Sequence, residues 1–420
     1  PPFVAGAMWA GVRAPAVVLA PPTSLLVARV KDRVGHAGGV HGAQGARMAA
    51  GSAKRLVPPK YEEMFELLSR ASTADAANDL ADSYRRVLPP KEKDGGGRKV
   101  AEVAGPRRKR DFVLTSSPEV SSDQSAPAVM LPPVSLGTQK VGKKAAPSVV
   151  AAAIRAGLNA IDTAPTYSNE AEVGRGIAES KGAKGGRGCF VTVKVPKRAA
   201  SPWQVREEVT ASLDRLGLTS ADILLLHWPC DLIEMGALGA VWSEMENLLS
   251  EGKCRSLGVS NFSVGALRAL LPLCKSARPA VNQIERHPLL PQWDVVDFCT
   301  RQGVTVQAHT PLGGGRAELL EHPLVVRVAE LAGWTAGQVL LLWNLGHGVP
   351  VAAKATGEEH MAQVAQLLEA EAMLTPEHME MLNMIALEKG AGTSMRFVAP
   401  PFMYKSGATY SWGERPPTKR

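Results

Sequence analysis

The chain has 420 residues, a formal net charge of +8, 45% hydrophobic residues and 21% charged residues. That length holds one large α/β domain with extra material, or two average domains. No apolar run reaches the roughly 18 residues that a membrane span needs, and no aromatic residues interleave the basic ones to stack on bases, so neither a membrane nor a nucleic-acid partner is expected.

Residues 1–50 are rich in Ala, Gly, Val and Pro, with five Lys/Arg and a single acid, Asp32. This suits an organellar targeting segment, though serine is scarce, and a disordered leader fits as well. Over 59–88, Phe65, Leu67 and Leu68, then Ala76, Leu80 and Tyr84, recur at helical spacing. A helical hairpin is expected there, with Ser72 or Thr73 capping its second helix. Residues 89–128 read as a linker, with Gly95-Gly96-Gly97, the basic cluster Arg107-Arg108-Lys109-Arg110 and paired serines. A nuclear signal would share that basic cluster.

From about 130, short apolar runs alternate with amphipathic stretches. The runs are 159–164, 189–195, 221–228, 254–260, 280–285, 304–309 and 349–353, with a weaker eighth expected near 369–374. Ser201-Pro202, Ser263 and Thr335 stand where helices should start. Gly157, Gly217 and Gly252 stand where helices should stop. Strand–helix alternation repeated this often predicts an α/β fold with a parallel sheet, and about eight units fit a (β/α)₈ TIM barrel. The competing doubly wound sheet predicts a G-x-G-x-x-G after its first strand; none follows 159–164. The expected organisation is a partly disordered N-terminal extension over 1–128, a barrel over 129–395, and a tail or lid over 396–420. All five cysteines, Cys189, Cys230, Cys254, Cys274 and Cys299, fall in the barrel, and no C-x-x-C occurs. They read as reduced packing thiols without a zinc site.

Barrel active sites lie at the carboxyl ends of the strands. The first apolar run ends in Asp162 and is followed by Tyr167, the second ends near Lys194, and the third ends in His227-Trp228. Each alone has a bland reading as a cap, a packed ring, a solvated lysine tip or a core histidine. Four of them at neighbouring strand ends, where burying charge is costly, point to chemistry.

The stretches that carry these residues resemble the aldo-keto reductase family, from about 130 to 390. They are 157–164 through Tyr167, Asn169, Glu170, Val173 and Gly174; Leu224-Leu225-Leu226-His227-Trp228-Pro229; 252–262; and Val281-Asn282-Gln283-Ile284-Glu285 with His287-Pro288. Leu131-Pro132 with Leu136-Gly137-Thr138 resembles the family's opening hairpin, which plugs the barrel floor. The resemblance implies a catalytic tetrad of Asp162, Tyr167, Lys194 and His227. A phenol ionises near pH ~10, and a cation beside it lowers that value. Lys194 can be the cation, Asp162 can hold it, Tyr167 can donate a proton, and His227 can orient the carbonyl oxygen. No metal is required.

The resemblance also implies that Ser260, Asn261 and Gln283 hold a nicotinamide carboxamide, and that His309, Thr310, Leu312 and Gly313 line the cofactor cleft. His309 stands where a stacking tyrosine is usual. Lys354 and Thr356 match the phosphate end, Ala355 replaces a serine, His360 replaces the arginine that clamps a 2′-phosphate, and Val364 replaces an asparagine that contacts adenine. Arg is the better bidentate partner for phosphate, so the replacement weakens the 2′-phosphate site; NADPH remains the expected cofactor, with NADH the alternative. Trp228 and Gln139 are expected to border the substrate pocket. The expected partner is a small carbonyl compound, the expected state a monomer, and the expected compartment the cytoplasm, or an organelle if 1–50 is a targeting segment. A nucleotide-binding regulatory subunit on the same barrel is the second reading. A metal-dependent hydrolase is the third, with Asp162, His227 and Glu285 as its candidate ligands.

Overall fold

The computed structural model describes residues 8–9, 12–13, 112–114, 129–180, 189–370, 373–387 and 395–398. The chain divides into two compact units, 1–103 and 104–420. In the first, β1 (Met8–Trp9) and β2 (Val12–Arg13) pair antiparallel. The helical hairpin expected at 59–88 and the basic cluster of the linker lie outside the described residues.

The second unit is built on a closed barrel. A short antiparallel pair comes first, β3 (Phe112–Leu114) with β4 (Val129–Leu131). The barrel strands follow in chain order: β5 (Val134–Gly137), β6 (Ala160–Asp162), β7 (Phe190–Val195), β8 (Ala221–Leu226), β9 (Cys254–Ser260), β10 (Val281–Glu285), β11 (Thr305–His309) and β12 (Val351–Ala353). All neighbours run parallel, and β12 closes on β5 through Val351 opposite Val134. Helices cross between successive strands, giving the expected (β/α)₈ barrel. Every residue of β7 is buried. Parallel strands with helices on one face and a filled interior on the other are expected to read as apolar runs, and this one does.

Two expectations need correction. No strand forms at 369–374 among the described residues; the helix Glu358–Glu369 runs into that stretch, and the eighth strand is β5. Leu131 and Leu136 do not form a hairpin with each other. Pro132 and Pro133 stand between them, and proline cannot donate to a sheet ladder. The chain breaks there, so β4 pairs back with β3, inside the segment read as linker. Leu114, Val129 and Leu131 pack with Ala160, Phe190, Ile223 and Val281, at or near the amino ends of the barrel strands. The plug of the barrel floor is therefore 112–114 with 129–131. Each such buried aliphatic side chain contributes about 1.5–3 kcal/mol.

Local signals set the helix ends. Ser263 accepts from the Ala266 N–H, and Thr335 with Gln338 forms a capping box. Ser201 precedes Pro202 as expected, but its hydroxyl donates to Gln204 instead of accepting from the helix. Gly217 ends the helix Pro202–Leu216 at φ 65°, a left-handed conformation that costs other residues energy. Gly157 and Gly252 also have positive φ. None of the five cysteines forms a disulfide.

Candidate active site

The carboxyl ends of β6, β7 and β8 set three of the polar side chains, and the turn after β6 sets a fourth. Asp162 is the last residue of β6. The chain then makes a 3-10 turn, Pro165–Tyr167, and reverses at Ser168 with φ 58°. This brings the phenol of Tyr167 back over the strand ends. Lys194 lies one residue before the end of β7, and the backbone N–H of His227 continues the β8 ladder to Val195 O at 3.1 Å.

Lys194 Nζ donates to Asp162 Oδ1 at 2.7 Å, to Tyr167 Oη at 2.9 Å and to Gln283 Oε1 at 2.7 Å. An ammonium has three protons, so all three are used. Tyr167 Oη accepts here, which leaves its own proton free to donate elsewhere. The Lys194 and Asp162 side chains are 2% and 5% exposed, so the pair is a buried one. Removing one partner of such a pair strands a charge, at a cost of about 3–5 kcal/mol. Burial pushes the Lys194 ammonium toward neutrality, but Asp162 and Tyr167 outweigh that and hold it protonated. Burial raises the Tyr167 phenol above its ordinary value of 10.0, and Lys194 only partly offsets the rise. A cation beside the phenol is expected to lower that value. Desolvation wins because the hydroxyl end of this half-exposed ring lies among buried groups. His227 is held well below its ordinary range, by burial first and then by Lys194 and His309. Its ring lies edge-on to Tyr167, with centroids 6.0 Å apart, and Trp228 stacks beside it at 6.1 Å. His227 Nδ1 has no hydrogen-bond partner among the described residues. Gln139 is exposed just beyond β5.

A second polar group adjoins the first. Gln283 Nε2 donates to Asp162 Oδ2 at 2.7 Å and to Gln307 Oε1 at 2.8 Å. Ser260 Oγ donates to Gln283 O at 2.9 Å, and Asn261 Nδ2 donates to His227 O at 3.0 Å and to Ser260 Oγ at 3.1 Å. His309 at the end of β11 reaches Asn261 Oδ1 at 2.9 Å. Burial holds His309 neutral, its pKa lowered to about 3. Thr310 follows at φ 53° and Gly313 at φ 61°, while Leu312 is half-buried.

The structure thus brings Asp162, Tyr167, Lys194, His227, Ser260, Asn261, Gln283 and His309 into one network. Lys354, Thr356 and His360 stand apart from it, all exposed, around the start of the helix Glu358–Glu369. Val364 is buried against the core. Gln307 was missed; it lies two residues before His309, and strand alternation puts both on one face. Residues 396–398 open the stretch expected as a tail or lid. Buried Glu285 accepts from the N–H groups of Phe397 at 2.7 Å and Val398 at 2.9 Å. The Phe397 ring then lies against Gly313. Among the described residues no three His, Cys, Asp or Glu side chains are grouped as metal ligands. No single helix there is long and apolar enough to cross a membrane.

The model of the aldo/keto reductase family matches residues 133–386. This chain belongs to that family. An aldo-keto reductase of Mycobacterium avium is 35% identical over 273 residues, which are 65% of this chain and 92% of that protein. A D-galacturonate reductase of Hypocrea jecorina is 34% identical over 293 residues, 65% of this chain and 93% of that protein. Among solved structures, the aldose reductase of Schistosoma japonicum superposes with a TM-score of 0.55 at 28% identity, covering 61% of this chain and 89% of that one. An aldo/keto reductase of Brucella melitensis gives 0.55 at 27% identity, covering 61% and 95%. The chain is accordingly an oxidoreductase of carbonyl compounds, from a family that generally uses NAD(P)H.

The residues present fit a nicotinamide at one end. Asn261 Oδ1 and Ser260 Oγ each keep an acceptor position that a carboxamide NH₂ can fill. The other end is less favourable. A helix amino terminus and Lys354 attract phosphate, but Glu358 and Glu359 occupy the first turn of this aldo/keto reductase's helix.

Proposed function

We propose that this aldo/keto reductase reduces an aldehyde or ketone to an alcohol using NADPH, with Tyr167 as general acid. The observation that carries the reading is the threefold use of the Lys194 ammonium, which leaves the phenol proton as the mobile one. When bound, a reduced nicotinamide would provide the hydride that the carbonyl carbon accepts. Tyr167 Oη gives its proton to the carbonyl oxygen as negative charge develops there. Lys194 then faces the phenolate at hydrogen-bond distance and stabilises it. Asp162 holds Lys194 charged and aimed. Neutral His227 orients the carbonyl oxygen by a hydrogen bond, and Trp228 walls the pocket beside it. Ser260, Asn261 and Gln283 hold the carboxamide side of the cofactor. Lys354, Thr356 and His360 receive its phosphate end.

Related proteins are named for reduction of aldoses and of D-galacturonate. The exposed, polar Gln139 at the mouth suits a polar carbonyl compound of that kind. The test is the rate of oxidation of NADPH and of NADH, in parallel, with a small aromatic aldehyde. Faster turnover with NADPH is expected. Faster turnover with NADH would overturn the phosphate-end assignment while keeping the chemistry. Binding of both cofactors without turnover would overturn the enzymatic reading and leave a regulatory, nucleotide-binding barrel.

A further inference from the structure

The sequence expectation for His309 is a stacking ring, standing in for a larger aromatic side chain. The hydrogen bonds around it describe a different use. Asn261 Nδ2 has two protons, and both are engaged, one by His227 O at 3.0 Å and one by Ser260 Oγ at 3.1 Å. The other terminal atom of Asn261 is therefore the acceptor, and it meets His309 Nε2 at 2.9 Å. His309 Nε2 must carry the proton of that contact. His309 Nδ1 then accepts from the Thr310 hydroxyl at 3.0 Å. Both ring nitrogens are satisfied in a single neutral tautomer.

We propose that His309 is a positioning residue for cofactor recognition: its Nε2–H fixes the side chain of Asn261, and that hydrogen bond, not ring stacking, is its main contribution to binding. This rests on the nicotinamide reading of the site given above. Asn261 has φ 63°, and its own N–H donates to Gln283 O at 2.9 Å. Its amide is a crossbar. It joins the end of β8 through His227 O, the end of β9 through Ser260, and the end of β11 through His309. The bond from His309 uses one acceptor position of Asn261 Oδ1 and leaves the second for an external N–H donor. A carboxamide NH₂ meets a pre-aimed oxygen in place of a rotating amide. A phenyl ring at 309 has no donor at that distance, and a phenol carries its hydroxyl too far out. A glutamine can put an N–H near the same place.

The two uses of residue 309 predict opposite orders among variants. The experiment titrates the full chain with NADPH by quenching of tryptophan fluorescence, for wild type, His309→Phe, His309→Tyr and His309→Gln. The expected result is a Kd raised roughly 3- to 10-fold in the Phe and Tyr variants, the range for loss of one positioned hydrogen bond, with the Gln variant near wild type. Tighter or unchanged binding by Phe and Tyr, with weaker binding by Gln, would show that stacking area decides and would overturn the proposal. Failure of the wild type to bind NADPH or NADH would instead remove the nicotinamide reading, and the proposal with it. Should a variant not fold, the histidine ¹⁵N shifts of the wild-type protein give an independent answer. They are expected to show His309 protonated at Nε2. Protonation at Nδ1 would contradict the proposal.

Discussion

Lys194 touches a carboxylate, a phenol and a side-chain amide from inside the barrel wall, and these three contacts determine what Tyr167 can do. The phenol accepts from the ammonium and keeps its own proton. Burial raises its pKa above 10.0 despite that neighbour, so the acid form persists across the neutral range. As pH rises through the elevated value the acid form is lost, so reduction falls only on that side. His227 and His309 are neutral well below their ordinary range, so neither adds an acid limb near neutrality. The kcat/KM for aldehyde reduction is therefore expected to be flat across the neutral range and to fall only at alkaline pH, as the raised phenol titrates. A limb centred near pH 7 would contradict this assignment of charges. Asp162, Lys194 and His227 were legible because a polar side chain at the end of an apolar run is conspicuous, and Tyr167 because it follows the first of those runs within a motif. The engagement of Gln283 with Lys194 and Gln307 was not. Which polar partner an inward-facing glutamine meets depends on register across three strands, and no local pattern encodes that.

At the scale of elements, close approach decides more than propensity. The helices Glu170–Ser180 and Pro202–Leu216 touch at Gly174, where an added Cβ would lie 2.6 Å from the backbone O of Leu216. A backbone atom cannot rotate away, so the helices must separate. Gly174→Ala is expected to destabilise the fold by about 1–3 kcal/mol, the usual cost of overpacking. A urea melt checks it, and an unchanged midpoint would show that the helices shift freely. Gly174 reads in the sequence only as part of a motif; its packing reason appears once the two helices are docked. The first barrel strand shows a similar limit. Val134–Gly137 is four residues long and follows two prolines, so in the sequence it reads as part of an opening hairpin and not as a barrel strand. Its status comes from closing the barrel against β12. The β3 strand, inside the stretch read as a linker, becomes visible only through its pairing with β4 and its place under the barrel floor.

Over the whole molecule, the barrel was legible because strand–helix alternation repeats along some 250 residues, and a repeated weak signal becomes a strong one. The carboxyl-end location of the site then follows from the architecture. The proposed phosphate end is harder to read because its residues are exposed and attach to one helix start, where Glu358 and Glu359 work against Lys354. The buried network around Lys194 is the best-defined part of the site. Its most direct test is Tyr167→Phe, measured for NADPH oxidation with a small aromatic aldehyde and, on the same sample, for NADPH binding by fluorescence titration. The expected result is loss of turnover with binding kept within about twofold of wild type, because the phenol hydroxyl is the proposed proton donor and makes no contact assigned to the cofactor. Turnover retained at the wild-type rate, with binding equally intact, would contradict the role of Tyr167 as the acid.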